Sequence, residues 1–447
     1  MDNAVNHPDA AFPRFHPRPA RGWINDPCGV SYIDGRYHVF FQFNPESARH
    51  RKICWGHLSS RDLVRWEEEP IALRPQPGGP DELGCWTGVV TDDGGVPTAA
   101  YSGVVSEGRQ SQVVLASALG DLTSWRQDGH VAAAMPPDPQ LTGVRDPYIF
   151  RFQGRRFAIQ GAGLASGHAA VLLYSVDDIR AWKYEGIWFT TEDELAARHL
   201  PAEIWECPQL VRVPDSSGAE TWLLMASLWL SSDSHRHPNG VGYLLGSLAA
   251  DALTGLPFFT PSTGGKADLG PDFYAPQILS LPEGALLWGW SNEVGAGEER
   301  AGRSQQETDD AGWSGVLTFP RRLSVHGGAL AVEPAPEITA YRGRRRLRSA
   351  AGTLPLPPHA EAVVTGGEGG VRLVLASATQ RRTVFADSVA GGDGLRIFVD
   401  SSVVEVYRHG SVAATVRAYP AAGEEWQLEL PHGAAADVWE LRHPGQG

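Results

Sequence analysis

The feature that most restricts what this chain can fold into is an internal repeat of about 60 residues. Five segments follow one plan: a polar or aromatic signature, an apolar strand, a glycine-containing turn and a second apolar strand. They open at Trp23 (WINDPCGVSYIDGRYHVFFQF), Cys85 (CWTGVVTDDGGVPTAAYSG), Val144 (VRDPYIFRFQGRRFAIQGAG), Trp205 (WECPQLVRVPDSSGAETWLLMAS) and Asp272 (DFYAPQILSLPEGALLWGWS). Asp26, Trp86, Asp146 and Glu206 succeed one another at intervals of 60 residues, and Asp272 follows 66 further on. The turns DG, DDGG, QG, DSSG and EG lie between strand-like runs, which is the signal of a β-hairpin. Two hairpins per unit make a four-stranded blade, and five blades close into a propeller without free sheet edges.

In such a ring each signature residue is expected at the same place in its blade, so the five converge on one end of the central channel. Asp26, Asp146 and Glu206 precede apolar strands instead of sitting in the turns, which marks them as more than punctuation. After Pro334 the pattern changes. Residues 342–348 (RGRRRLR) read as a solvated linker or an inter-domain ion-pair surface. Residues 395–407 (LRIFVDSSVVEVY) alternate with period two, and 412–420 (VAATVRAYP) follow after a HGS turn, which predicts a β-sandwich. The expected organisation is all-β: a five-bladed β-propeller catalytic domain over 1–335, then a linker and C-terminal β-sandwich over 336–447. A content of 51 Gly and 33 Pro suits many short strands on tight turns.

A net charge of −14 with no long run of one sign makes nucleic acid and anionic membrane poor partners. The first 20 residues lack a basic segment followed by an apolar one, and no apolar run approaches the roughly 18 residues of a membrane span. The sequence thus reads as cytoplasmic. Four cysteines, Cys28, Cys54, Cys85 and Cys207, form no CxxC pair and are expected as free thiols. Neither a metal nor a cofactor is expected.

Cleaving a glycosidic bond requires one carboxylic acid to protonate the leaving oxygen and one carboxylate to attack or to activate water. Three acids converging on a propeller mouth supply these parts. Asp146 follows Arg145, so it is expected to stay ionised beside a guanidinium. Glu206 lies between Trp205 and Cys207, an apolar setting expected to raise its pKa and hold its proton for donation.

Seven motifs in register carry a more specific signal: GWINDPCG (22–29), FFQFNP (40–45), WGHLSSRDLVRW (55–66), RDP (145–147), WECP (205–208), DFYAPQ (272–277) and WSGVLTFPRRL (313–323). They resemble glycoside hydrolase family 32, the family of invertases, inulinases, levanases and related fructosyltransferases. Residues 395–420 resemble the sandwich module of that family. The resemblance implies a retaining cleavage of β-fructofuranosidic bonds in sucrose, fructo-oligosaccharides or fructans, through a fructosyl-enzyme. It implies Asp26 as nucleophile, Glu206 as acid/base, and Asp146 as the residue that hydrogen-bonds fructose hydroxyls and steadies the transition state. Asn25, Gln42, Trp86, Thr87, Arg145, Asp272 and Trp290 are implied to line the fructose subsite. The partner expected is a small or oligosaccharide fructoside. A fructosyltransferase on the same scaffold, an arabinoside-cleaving propeller and a catalytically silent sugar-binding propeller are the competing readings.

Three departures from the family pattern bear on specificity. Cys28 stands where the family usually has Asn, His50 where it usually has Trp, and Trp86-Thr87-Gly88 replaces a phenylalanine-serine-glycine stretch. Cys28 and His50 are therefore expected to alter the pocket wall and the choice of leaving group.

Overall fold

The computed structural model describes residues 7–106, 111–215, 217–232, 237, 239–293, 302–389 and 394–445. Five antiparallel sheets, over residues 22–68, 84–133, 141–190, 204–266 and 274–334, surround a central channel. The first strand of each blade is innermost: Gly22–Ile33, Gly84–Asp93, Leu141–Phe152, Ile204–Pro214 and Tyr274–Leu281. Each of these packs against the next around the ring. The middle strands are covered on both faces by neighbouring blades, so they read as continuous apolar runs. Ala169 to Val176 in blade 3, for instance, are all buried.

The tight turns come where the Gly-containing dipeptides sit. Asp34 and Gly35 (φ 50° and 73°) and Gln153 and Gly154 (φ 48° and 80°) both take the left-handed pair that a two-residue hairpin favours. Glycine serves a second purpose at Gly161, where a Cβ would stand 1.9 Å from the Trp205 carbonyl oxygen. Only glycine lets blade 3 approach the strand of blade 4 that carries Glu206.

The ring is closed by a short segment late in the propeller. Trp313–Ser314 pairs in parallel with the start of Gly22–Ile33, and Val316–Leu317 joins Gly284–Ser291 of blade 5. Gln277 reinforces this seam. Its amide accepts from Val30 N–H (2.9 Å) and donates to the Gly88 carbonyl (2.8 Å), tying blades 5, 1 and 2 together.

After Pro336–Tyr341, a 3-10 turn, the chain forms the sandwich. Residues 342–348 are not a linker. They open the strand Arg342–Pro355, which pairs with Glu425–Leu441, and Arg342 forms an ion pair with the buried Glu361 at 2.6 Å. The long strand Glu425–Leu441 also pairs with His359–Gly366 and Gly369–Ala376, so it serves both layers. The alternating stretch at 395–407 is two strands, Leu395–Asp400 and Val403–Arg408, because Ser401 (φ 55°) turns the chain back on itself. Leu373, Ile397, Val404, Trp426 and Leu428 form the core between the layers.

The two units meet over a buried polar seam. Asp400 accepts the backbone N–H groups of Arg14, Phe15 and His16, pinning the N-terminal segment between the units. The His16 ring lies between Asp400 (2.8 Å) and Glu405 (3.0 Å), and these carboxylates hold its pKa above the usual value despite burial. Arg321 from blade 5 pairs with Asp268 (2.8 Å) and with Glu405 of the sandwich (2.9 Å), all almost fully buried.

Candidate active site

One mouth of the channel opens as a pocket of about 650 Å³. It is lined by Asn25, Asp26, Gln42, His50, Trp86, Arg145, Asp146, Glu206 and Trp290, as the sequence led us to expect, and by Trp23, Arg49, Arg51, Trp229, His237, Tyr274 and Gln305. The opposite mouth is a cavity of similar size with an apolar neck of Val30, Val89, Leu210 and Ile278, and it contains none of the three acids.

The acids reach the pocket because every innermost strand bulges at the same point. Arg145, Glu206 and Tyr274 pair with Gly161, Ser227 and Trp290, and in each case the next regular pair lies three residues on, at Tyr148, Gln209 and Gln277. A bulge re-aims the side chains on either side of it. The residues just after that rung, Asp146, Cys207 and Ala275, all have left-handed backbones (φ 58°, 47° and 46°) and all precede proline. Asp146 and Glu206 are therefore not equivalent, although their spacing suggests it. Arg145, Glu206 and Tyr274 share a rung, and Asp146 sits one place beyond.

That geometry overturns two electrostatic expectations. The Arg145 guanidinium is not the ion-pair partner of Asp146. It donates from Nε to Glu206 Oε1 at 2.8 Å, while the Tyr274 hydroxyl donates to Glu206 Oε2, also at 2.8 Å. Glu206 thus stands in an ion pair and not in an apolar setting. Asp146, which accepts the Cys207 N–H (3.0 Å), has its pKa pushed up by burial and by the charge of Glu206, against the weaker opposing pull of Arg145. The bulge and not sequence adjacency sets where each side chain points, so Arg145 turns to Glu206 although Asp146 is its neighbour in the chain.

Asp26 lies on the pocket floor. Asn25 Nδ2 donates to its Oδ1 (3.0 Å), while Gln42 Nε2 (2.9 Å) and Thr87 Oγ1 (2.6 Å) donate to its Oδ2. The Cys207 thiol stands 3.5 Å from Asp26 and 3.6 Å from Asp146. Burial raises the pKa of Asp26 to about 6, the Thr87 hydrogen bond opposes this, and the charge of Glu206 adds to it. Asn25 is itself oriented by Trp23 Nε1 (2.8 Å).

Three expected residues do not line the pocket: Thr87 is buried beside Asp26, to which it donates, and two are elsewhere. Asp272 precedes the rung by two residues and faces the sandwich, where its Oδ2 accepts the Arg417 N–H at 2.7 Å. Cys28 is fully buried behind Asp26 among Phe40, Trp55 and Leu73 and forms no part of the wall. His50 does reach the rim, edge-on to Trp23 (6.0 Å) and Trp86 (5.8 Å). Tyr274 was missed, although aligning WECPQ with FYAPQ on their prolines places it opposite Glu206. Nothing in local sequence marks Trp229 or His237, which come from blade 4 and its loop.

A pocket offering carboxylates in unlike surroundings is built for nucleophilic and acid/base work on an acetal, and on a five-bladed propeller that defines a glycosidase. Residues 16–334 match the glycosyl hydrolases family 32 N-terminal domain. The sequence is 32% identical to the sucrose-6-phosphate hydrolase of Klebsiella pneumoniae, over 89% of this chain and 86% of that one. It is 29% identical to the raffinose invertase of Escherichia coli, over 87% and 77%. A family 32 β-fructofuranosidase of Bombyx mori superposes with a TM-score of 0.80 at 24% identity, over 99% of this chain and 96% of that one. The chain belongs to glycoside hydrolase family 32 and is a glycosidase of β-fructofuranosidic bonds.

Proposed function

We propose that the enzyme hydrolyses a small, sucrose-type β-fructofuranoside with retention, using Asp26 as nucleophile and Glu206 as acid/base. The observation that carries this is the contrast between the two carboxylates. Asp26 is buried under three side-chain donors, whereas Glu206 stands on the wall with 17% of its side chain exposed. Asp26 attacks the anomeric carbon while Glu206 gives its proton to the departing oxygen. Glu206 then takes a proton from water, which attacks the same carbon and frees Asp26. Asp146 binds fructose hydroxyls; Asn25, Gln42, Arg145 and Trp290 shape that subsite. Incubation with sucrose should release fructose, and added methanol should be converted to the methyl β-fructofuranoside. Formation of the α-anomer would overturn retention.

The elevated pKa of Asp26 has a signed consequence. The nucleophile must be ionised, so kcat/KM should fall as pH drops through about 6. An acid limb nearer pH 4, as for an ordinary carboxylate, would mean that a different group limits the rate.

The leaving-group side favours a phosphorylated sugar. Arg51 lines the mouth of the pocket, exposed and without a hydrogen-bond or ion-pair partner among the described residues, whereas Arg49 beside it is engaged by Asp309. An unpaired guanidinium at the mouth of an acidic pocket suits an anionic substituent such as a phosphate monoester. The relative named a sucrose-6-phosphate hydrolase supports this. Wild type should prefer sucrose 6-phosphate to sucrose by about tenfold in kcat/KM, and Arg51→Gln should abolish the preference. Equal rates in wild type would remove the phosphate from the reading and leave the hydrolase. Four unpaired, buried thiols are in keeping with a reducing compartment, so we place the reaction in the cytoplasm.

A further inference from the structure

Glu206 has two partners of unlike chemistry. Arg145 can only donate, so it favours the carboxylate, whereas the Tyr274 hydroxyl can donate to a carboxylate or accept from a protonated acid. Tyr274 is therefore the partner able to follow Glu206 through both half-reactions. That requires a phenol oxygen fixed in place with its O–H free to turn, hence a ring gripped by its face.

His237 supplies the grip. Its imidazole stacks on the Tyr274 ring, with centroids 4.1 Å and planes 17° apart, and meets Trp290 edge-on at 5.9 Å. His237 lines the same pocket as Glu206. It belongs to the connection between Glu220–Trp229 and Val241–Ala250, in the blade that carries Glu206. Its backbone is left-handed (φ 44°), a conformation few side chains adopt, and its carbonyl accepts the Gly240 N–H (3.0 Å). Backbone held in that way next to a reacting group points to a role at the site.

We propose that His237 is a positioning residue for the acid/base: by stacking on Tyr274 it keeps the phenol oxygen on Glu206 while the glycosidic bond breaks. The proposal rests on Glu206 being the acid/base. It departs from the role of a sugar-binding rim residue, which would affect all substrates alike.

The test compares kcat/KM for sucrose, whose leaving oxygen needs a proton, with that for 4-nitrophenyl β-fructofuranoside, whose phenolate leaves without one. His237→Ala should lower the sucrose value about tenfold and the aryl value less than about twofold, with an unchanged melting temperature. His237→Phe, which keeps an aromatic face, should restore sucrose cleavage to within about twofold of wild type. Equal losses on both substrates, no loss on either, or a Phe variant as poor as Ala would overturn the proposal. Glu206→Gln serves as the control. If it too damages both substrates equally, the acid/base assignment falls instead, and the two failures are told apart.

Discussion

Asp26→Asn is expected to lower turnover by about four orders of magnitude or more while leaving the fold intact. The amide has nearly the shape of the carboxylate, so packing on the pocket floor is preserved. What it loses is the charge that attacks the anomeric carbon, and an amide cannot form the fructosyl ester. The surroundings adapt: with an amide nitrogen in place of Oδ2, the Thr87 hydroxyl can turn to accept from it, and the Gln42 amide can turn over to present its oxygen in place of its N–H group. The same substitution removes a buried negative charge next to Asp146 and Glu206, so the folded protein should be at least as stable as wild type near neutral pH. Glu206→Gln should be similarly damaging on sucrose, because neither proton transfer is possible. Fructose release and circular dichroism measure the two sides of this prediction. Either variant retaining more than about a tenth of wild-type activity on sucrose would remove that residue from the mechanism.

The second large effect concerns the seam between the units. Arg321→Met should destabilise the protein by about 3–5 kcal/mol, because it leaves Asp268 buried without its cation and Glu405 with His16 alone. Arg321 is fully buried, pairs with both carboxylates and donates from Nη2 to the Thr415 hydroxyl at 2.7 Å. Methionine roughly fills the volume, so the loss reports the charge and not a cavity. Since Glu405 and Thr415 belong to the sandwich and Arg321 to blade 5, the loss falls on their association. Calorimetry should then show one melting event for wild type and two for the variant. An unchanged melting profile would show that the seam contributes nothing to holding the units together.

The repeat made the propeller legible because a hairpin turn is written locally: Asp34-Gly35 and Gln153-Gly154 take the φ values their residue types favour. The convergence of the three acids was legible because each precedes an apolar run, although each lies inside its strand (Gly22–Ile33, Leu141–Phe152 and Ile204–Pro214) and not ahead of it. Their electrostatics were not, since a bulge of one residue decides whether Arg145 faces Asp146 or Glu206. Asp272 shows the same limit. Its place in a family motif says that it matters, but only the register of Tyr274–Leu281 reveals that it faces the sandwich. At 342–348 the charge density rightly suggested solvent for Arg344 and Arg345, which are exposed, but it hid the strand, because ladder pairing with Glu425–Leu441 is set by residues far along the chain.

The closure of the ring has a further consequence for how the molecule comes into being. Gly22–Ile33 finds its parallel neighbour only when Trp313–Ser314 has been synthesised, and the buried Arg18 reaches the Gly315 carbonyl across 297 positions of chain. Contacts so distant in sequence must overcome a large loop entropy before they are rewarded, so they form late. Until then the strand bearing Asp26 has an unpaired edge, and a ribosome-bound or truncated chain ending before residue 313 would expose it to other strands. Catalytic competence and protection from aggregation should therefore arrive together, at the moment the last stitch of the propeller is made.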